Sequence, residues 1–292
     1  MIPRLGLTLV LILLSFLSWF YVFGPGRVPL VLRLGSTTST YDSGLLDYLL
    51  PLYEAETAVE VVVLAKGTGA AIRDGLAGQV DALLVHNRAR EEELVAQGAA
   101  LSRLPIMSNN FLIVGSKAKA PYAHLSGLMR AMAAGRRGLF LSRGDESGTH
   151  AAEQRLWQSY GYTPETFGDW YTKTGTGMGQ TLITANANAA ATLVDSATWA
   201  QHGDVARLHI WYEDKAGSPS EVLENAYGYL TLNPAQIPGV RADLAADFGQ
   251  WLTSPKGQAA IAAYRIQGQQ AFVPHSFVPQ ASVAHTPDAK TR

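Results

Sequence analysis

The chain contains no cysteine. That excludes disulfides, thiol nucleophiles, zinc ribbons and a lipid-bearing N-terminal cysteine. Charge is scarce as well: Asp, Glu, Lys and Arg make up 16% of residues, and the formal net charge is −1. With no basic excess, no nucleic-acid partner is expected, and no acidic run marks a solvating tail. The seven histidines are scattered, with no H-x-x-x-H on a helix, so neither a metal site nor a cofactor is expected. The glycine-rich stretches lack the residues of nucleotide motifs. "GTGMGQT" (175–181) has no P-loop lysine, and "GTGAAI" (67–72) is not G-x-G-x-x-G.

What is present is 292 residues, 47% of them hydrophobic, enough for one large or two medium domains with real cores. The N-terminus, "MIPRLGLTLVLILLSFLSWFYVFGPGR", has one arginine and then an uncharged run from Leu5 to Phe23. Its length is near that needed to span a bilayer. It reads as a secretory signal or an uncleaved anchor over residues 1–29, because no clean A-x-A site is visible and Trp19, Tyr21 and Phe23 suit a membrane interface. Either way the body of the protein is expected outside the cytoplasmic membrane.

Beyond Pro29 the pattern alternates strand and helix. Val31–Leu34 reads as a strand, Ser36–Thr40 as a polar turn with Asp42 or Ser43 as N-cap, and Leu45, Leu46, Leu49 and Tyr53 recur at helical spacing. Val59–Ala65 and Ala82–His86 are further strands, separated by a short helix opening at Gly67-Thr68-Gly69. This βαβαβ pattern predicts a doubly wound α/β lobe. A second α/β set follows: strands at 109–117, 138–142, 191–194 and 207–213, and a helix over Ser147–Tyr160. Next come a strand in "NAYGYLTLNP" (225–234) and two helices, and the polar tail 274–292 reads as partly disordered. Trp157, Trp170, Tyr171, Trp199 and Trp211 read as core of the second set, and Arg88, Arg90 and Glu91–Glu93 as a solvated face.

Several strand-to-helix junctions are rich in hydroxyls and glycine: Ser36–Thr40, Gly67–Gly69, Arg143 to Thr149, and Gly175–Thr181. Ligands of open α/β sheets bind beyond the carboxyl ends of strands. Helix N-termini there offer unpaired N–H groups and a partial positive charge, so hydroxyls and one arginine can complete an anion site. Any one junction could equally be a plain N-cap and turn. "RGDESGTH" also holds Ser147 and His150 three apart, as a hydrolase might. However, a nucleophile elbow reads G-x-S-x-G, this reads D-E-S-G-T, and no further carboxylate is placed to orient His150. No enzyme is expected.

RGDESGT resembles the R-x-D-x-S-G-T motif of periplasmic oxyanion-binding proteins, the substrate-binding components of ABC transporters. With "STTSTYDSGLLDYLLPLYEAET", "LAKGTGAAI", "DALLVH", "NNFLIVG" and "WYTKTGTGMGQTL", the chain resembles the tungstate-binding branch from residue 31 to about 273. The resemblance implies an α/β, type II periplasmic-binding-protein fold: two doubly wound lobes joined by two crossover strands, near Asn109–Val114 and Tyr227–Leu232. Lobe one would take residues 30–110 and 227–273, and lobe two 111–226. The ligand site would take Thr38, Ser39 and Thr68 from lobe one, and Arg143, Ser147, Gly148 and Thr149 from lobe two. "LVDSATWA" (193–200) departs from the family, with Val194 and Ser196 where relatives tend to carry Thr and Arg.

The ion's chemistry narrows the choice. Tungstate and molybdate carry no proton at neutral pH, whereas phosphate, with a second pKa near 6, still has one. A phosphate receptor can use an acceptor carboxylate that would repel a fully deprotonated dianion. In phosphate binders of this class that acid follows the third strand; here the place reads His86-Asn87. Asp145 is expected to orient Arg143 instead. The implied function is capture of tungstate or molybdate by a monomer that docks on an ABC permease. Phosphate or sulfate binding, and an anchored anion sensor, are the alternatives.

Overall fold

The computed structural model describes residues 30–202, 206–214, 220 and 222–275. The expected N-terminal signal or anchor and nearly all of the expected tail lie outside the described residues. Among the described residues no helix is long and apolar enough to cross a membrane.

The first sheet is built around β1 (Leu30–Thr37), which runs parallel to β2 (Val59–Lys66) on one side and β3 (Ala82–Val85) on the other. β3 and the last half of β1 are buried because helices cover both faces there, whereas β2, at the sheet edge, leaves Glu60 and Val62 exposed. On one face Leu32, Leu34 and Leu84 pack with α2 (Leu45–Thr57), α9 (Ala242–Thr253) and α10 (Pro255–Ala263). On the other, Leu83 and Val85 pack with Ile72 of α3 (Thr68–Leu76) and Leu94 of α4 (Arg88–Ala96). Each such fully buried side chain stabilises the fold by ~1.5–3 kcal/mol.

β4 (Ala100–Ser116) belongs to both lobes. Its first part, Ala100–Asn110, pairs antiparallel with β9 (Glu224–Leu232) in the first sheet. Its last part carries β7 (Thr192–Asp195) on one edge and β8 (Leu208–Tyr212) on the other. The bridge between Phe140 of β5 (Phe140–Ser142) and Ala191 continues this second sheet to β5, and β6 (Tyr171–Lys173) lies parallel to β5. Helices α5 (Leu125–Ala133), α6 (Gly148–Ser159), α7 (Met178–Asn188) and α8 (Ser196–Gln201) cover it. The predicted strand from residue 109 thus begins earlier, at Ala100. Pro105 and the polar Ser102, Arg103 and Ser108 hide the extension, and the register shifts between Pro105 and Met107, where the proline has no N–H to give.

The expected crossing at Tyr227–Leu232 is corrected. Gly228–Thr231 pairs with β3 as well as β4, so this stretch lies inside the first sheet. The chain passes between lobes at Leu223–Asn225, where the Phe111 N–H donates to the Leu223 carbonyl at 2.8 Å. The solvated face expected over Glu91–Glu93 is also corrected at Glu91. That residue is buried, accepting from Arg103 Nε and from the Asn87 N–H, both at 2.7 Å. Of the aromatics expected in the second core, Trp157 and Trp211 are fully buried, while Trp170, Tyr171 and Trp199 pack against it partly exposed.

The C-terminal helices return to the first lobe and are pinned there by Asp81. This carboxylate accepts from Arg33 Nε at 3.0 Å and Nη2 at 2.5 Å, from the Arg33 N–H at 2.8 Å, and from the Arg241 N–H ahead of α9 at 2.9 Å. Burial alone would raise its pKa, but the hydrogen bonds from Arg33 and the two backbone donors hold it below the usual value. Asp81→Ala takes the carboxylate from the Arg33 guanidinium and leaves two backbone N–H donors, of Arg33 and Arg241, without their acceptor. It should cost about 3–5 kcal/mol, read as a lower urea midpoint with an unchanged slope.

Candidate functional site

The hydroxyl-rich junctions converge where the two lobes meet. From the first lobe come α1 (Thr38–Asp42) beyond β1, the start of α3 beyond β2, and His86 beyond β3. From the second come residues 143–149 between β5 and α6, and residues 174–177 ahead of α7. The expected turn at Ser36–Thr40 is the end of β1 and the start of this short helix. Its N-cap is Thr37, whose Oγ1 accepts the Thr40 N–H; α2, for which Asp42 or Ser43 was the expected N-cap, has Gly44 in that place, and Ser43 Oγ accepts the Leu45 N–H at 3.3 Å from one residue further out.

The RGDES turn is held by its own side chains. Gly144 and Glu146 adopt left-handed backbone (φ 60° and 59°), which folds the chain back on itself. Asp145 Oδ1 accepts the Ser147 N–H at 3.2 Å, and Ser147 Oγ caps α6 by accepting the His150 N–H at 3.1 Å. His150 Nδ1 accepts the Glu146 N–H at 3.2 Å, and its other nitrogen faces Gln154. Both ring nitrogens are therefore engaged away from Ser147 Oγ, and the serine–histidine pair is not formed. His150, without a clear role in the sequence, supports the turn.

Arg143 is only 3% exposed. Its Nη2 meets Asp145 Oδ2 at 2.6 Å, Nη1 reaches Thr149 Oγ1 at 3.4 Å, and Nε reaches the Thr176 carbonyl at 3.3 Å. Asp145 thus orients and neutralises the guanidinium, as its place in the motif suggested.

The lobes touch directly. The Gly148 N–H donates to Thr68 Oγ1 at 3.0 Å, and Arg73 approaches Glu146 at 3.5 Å. Gly148 sits so close to His86 that a Cβ would lie 2.6 Å from its ring atoms and 2.8 Å from its carbonyl oxygen. Thr38 faces the other junction: a Cβ on Gly177 would lie 3.7 Å from its Oγ1. That Oγ1 is buried and has no hydrogen-bond partner among the described residues. Ser39 differs, because its Oγ meets His86 Nε2 at 3.3 Å and Thr37 Oγ1 at 3.1 Å. Thr38, Thr68 and Gly148 therefore meet across the lobes, Arg143, Ser147 and Thr149 flank them within the RGDES turn and the start of α6, and the Ser39 side chain turns toward His86. His86 was noted in the sequence only as the place of a missing acid. Burial first, and then the Arg143 charge, push its pKa down to about 4, so it is neutral at neutral pH. Among the described residues no cluster of His, Asp or Glu could hold a metal ion.

Glu153, one turn behind Thr149, also escaped the sequence reading. It accepts from Tyr171 Oη at 2.6 Å and Trp157 Nε1 at 3.2 Å, and burial pushes its pKa up to about 7 despite these donors.

This architecture is that of a two-lobed periplasmic binding protein, and residues 31–256 match the model of the PBP superfamily domain. Within it, the chain is 38% identical over 256 residues to the tungstate-binding protein TupA of Peptoclostridium acidaminophilum, covering 85% of each. It is similar to the tungstate ABC transporter structure from Geobacter sulfurreducens, at 38% identity and TM-score 0.71, with 80% of this chain and 98% of that one covered. The TupA structure from Desulfovibrio alaskensis G20 gives 34% identity and TM-score 0.71, covering 84% and 99%. The chain belongs to the PBP superfamily and, within it, to the family of these TupA proteins.

Two expectations follow. Gly148→Ala overpacks the closed interface at His86, where such insertions cost about 1–3 kcal/mol. Ligand affinity should fall roughly 5- to 150-fold, measured by calorimetry, with α-helical content unchanged. For Glu153 the folded pKa lies above the unfolded one, so the native state holds its proton more tightly. Stability should fall as pH rises from about 4.5 to about 7, by up to roughly 3 kcal/mol from this group. Urea titrations at pH 5 and pH 8 should show that fall reduced in Glu153→Gln.

Proposed function

We propose that this protein captures a fully deprotonated tetrahedral oxyanion, tungstate or its near twin molybdate, between its lobes and presents the closed form to an ABC permease. The observation that carries the reading is the buried Arg143, together with the orphaned Thr38 hydroxyl, which lies against Gly177 across the interlobe contact. A hydroxyl that is buried without an acceptor is costly unless a ligand supplies one. The names of the TupA relatives point to the same ion.

In this reading Arg143 supplies charged donors, Thr38, Thr68, Ser147 and Thr149 supply hydroxyls, and Gly148 lets the backbone of α6 come close. Ser39 contributes its N–H. Each charge-assisted hydrogen bond is worth ~1.5–3 kcal/mol, so several reach about micromolar affinity or better after the cost of closure. The protein acts as a monomer exported to the periplasm, and it performs no bond chemistry.

A calorimetric series with tungstate, molybdate, sulfate and phosphate tests the assignment. The first two should bind far more tightly than phosphate, and a preference for phosphate overturns the reading. Arg143→Ala should weaken tungstate binding by at least ~10-fold; wild-type affinity in that variant would exclude Arg143 from the site.

A further inference from the structure

A line of buried polar side chains runs through both strands that connect the lobes. It starts at Asp195, at the end of β7 in the second lobe. Asn109 Nδ2 lies 3.4 Å from Asp195 Oδ1, Asn225 Nδ2 lies 2.7 Å from Asn109 Oδ1, and Asn225 Oδ1 lies 2.8 Å from His86 Nδ1. His86 Nε2 then meets Ser39 Oγ at 3.3 Å, and Ser39 Oγ meets Thr37 Oγ1 at 3.1 Å. Asp195, Asn109, Asn225, His86, Ser39 and Thr37 are all buried.

Chemistry sets the direction of every bond. A carboxylate only accepts, and Asp195 already accepts from the Thr198 N–H at 2.9 Å and Thr198 Oγ1 at 2.6 Å as the cap of α8. Asn109 must therefore turn its NH2 toward Asp195 and its oxygen toward Asn225. Asn225 must answer with its own NH2, whose second hydrogen goes to Tyr227 Oη at 3.0 Å. Its oxygen then faces His86, so Nδ1 carries the ring proton. In a neutral imidazole Nε2 is left bare, and Ser39 must donate its hydroxyl hydrogen to it. Thr37 in turn donates to Ser39.

We propose that this one-directional chain, anchored on Asp195 and ending at Thr37–Ser39, positions the anion-facing loop of α1, with His86 as its central positioning residue. Ser39's hydroxyl is committed to His86, which leaves Thr38 to present the hydroxyl and Ser39 its N–H. The chain enters the second lobe through its longest bond, Asn109 to Asp195, so donor orientation in one lobe depends on a charge held by the other. This deepens the oxyanion reading and rests on it for the ligand.

The test is nitrogen NMR of 15N-histidine-labelled full-length protein near neutral pH, with the His86 signal assigned from His86→Gln. The wild type should show His86 protonated at Nδ1. Protonation at Nε2 overturns the proposal whatever any variant does. Asp195 Oδ1 both caps α8 and faces Asn109, so the informative variant is Asp195→Ser, whose hydroxyl oxygen can still cap α8 while its hydrogen can be given to Asn109, and the direction is no longer enforced. Its His86 should populate both tautomers, and tungstate affinity should fall roughly three- to ten-fold with little change in Tm. A mixed tautomer with wild-type affinity overturns the positioning role, as does weaker binding with an unchanged tautomer. If wild-type protein shows the Nδ1–H tautomer yet binds none of the four anions, the ligand assignment fails and the wiring stands.

Discussion

A guanidinium removed from water must be surrounded by acceptors, and much of the cleft follows from that demand at Arg143. The backbone at Gly144 and Glu146 turns left-handed so that Asp145 can reach back to it. The Thr176 carbonyl ahead of α7 is brought beneath its Nε, and Thr149 on the first turn of α6 lies beside its Nη1. Satisfying one arginine therefore draws the starts of two helices to one point. The remaining guanidinium hydrogens are left to face whatever the first lobe closes over.

The first lobe closes with backbone, not bulk. Gly148 leaves no room for a side chain against His86, and its N–H reaches Thr68. The close approach thus serves two ends: it seats α6 on the first lobe and brings the Thr68 hydroxyl to the mouth of the RGDES turn. Where a receptor for a protonated anion places a free acceptor, this chain has a neutral imidazole whose bare nitrogen is occupied by Ser39. A ligand bearing a proton finds no unoccupied acceptor there.

The lobes and the hydroxyl-rich segments that meet between them were legible in the sequence because they rest on local signals. Apolar runs such as "DALLVH" mark buried parallel strands, and Ser147 before an apolar helical pattern marks a cap. What was hidden depends on partners far along the chain. Nothing local distinguishes Asn225 from a loop asparagine until it is set beside Asn109 and His86. Glu91 sits in a run of acids that reads as solvated, and is buried only because Arg103 of the neighbouring strand reaches it. β4 was cut short because Pro105 looks like a terminator, whereas a register shift lets the strand continue past it. The Asn109-Asn110 pair within an apolar strand was the available hint of a polar hinge.

The proposed function asks a chain with a net charge of −1 and few ionisable groups to hold a dianion. Arg143 and Asp145 cancel, so formal charge does not supply the attraction. Besides the single short turn of α1, three longer helices begin at the cleft: α3 at Thr68, α6 at Gly148 and α7 at Met178. Each helix start carries roughly half a positive charge, spread over N–H groups that cannot bond within their own helix. Together they offset most of two negative charges, and they do so with dipoles already fixed in direction by the sheets behind them. Fixed dipoles need no counterion and gain strength as water is excluded. Lobe closure therefore strengthens the binding at the moment it hides the ion, and Arg143, held rigid by Asp145, contributes direction more than net charge.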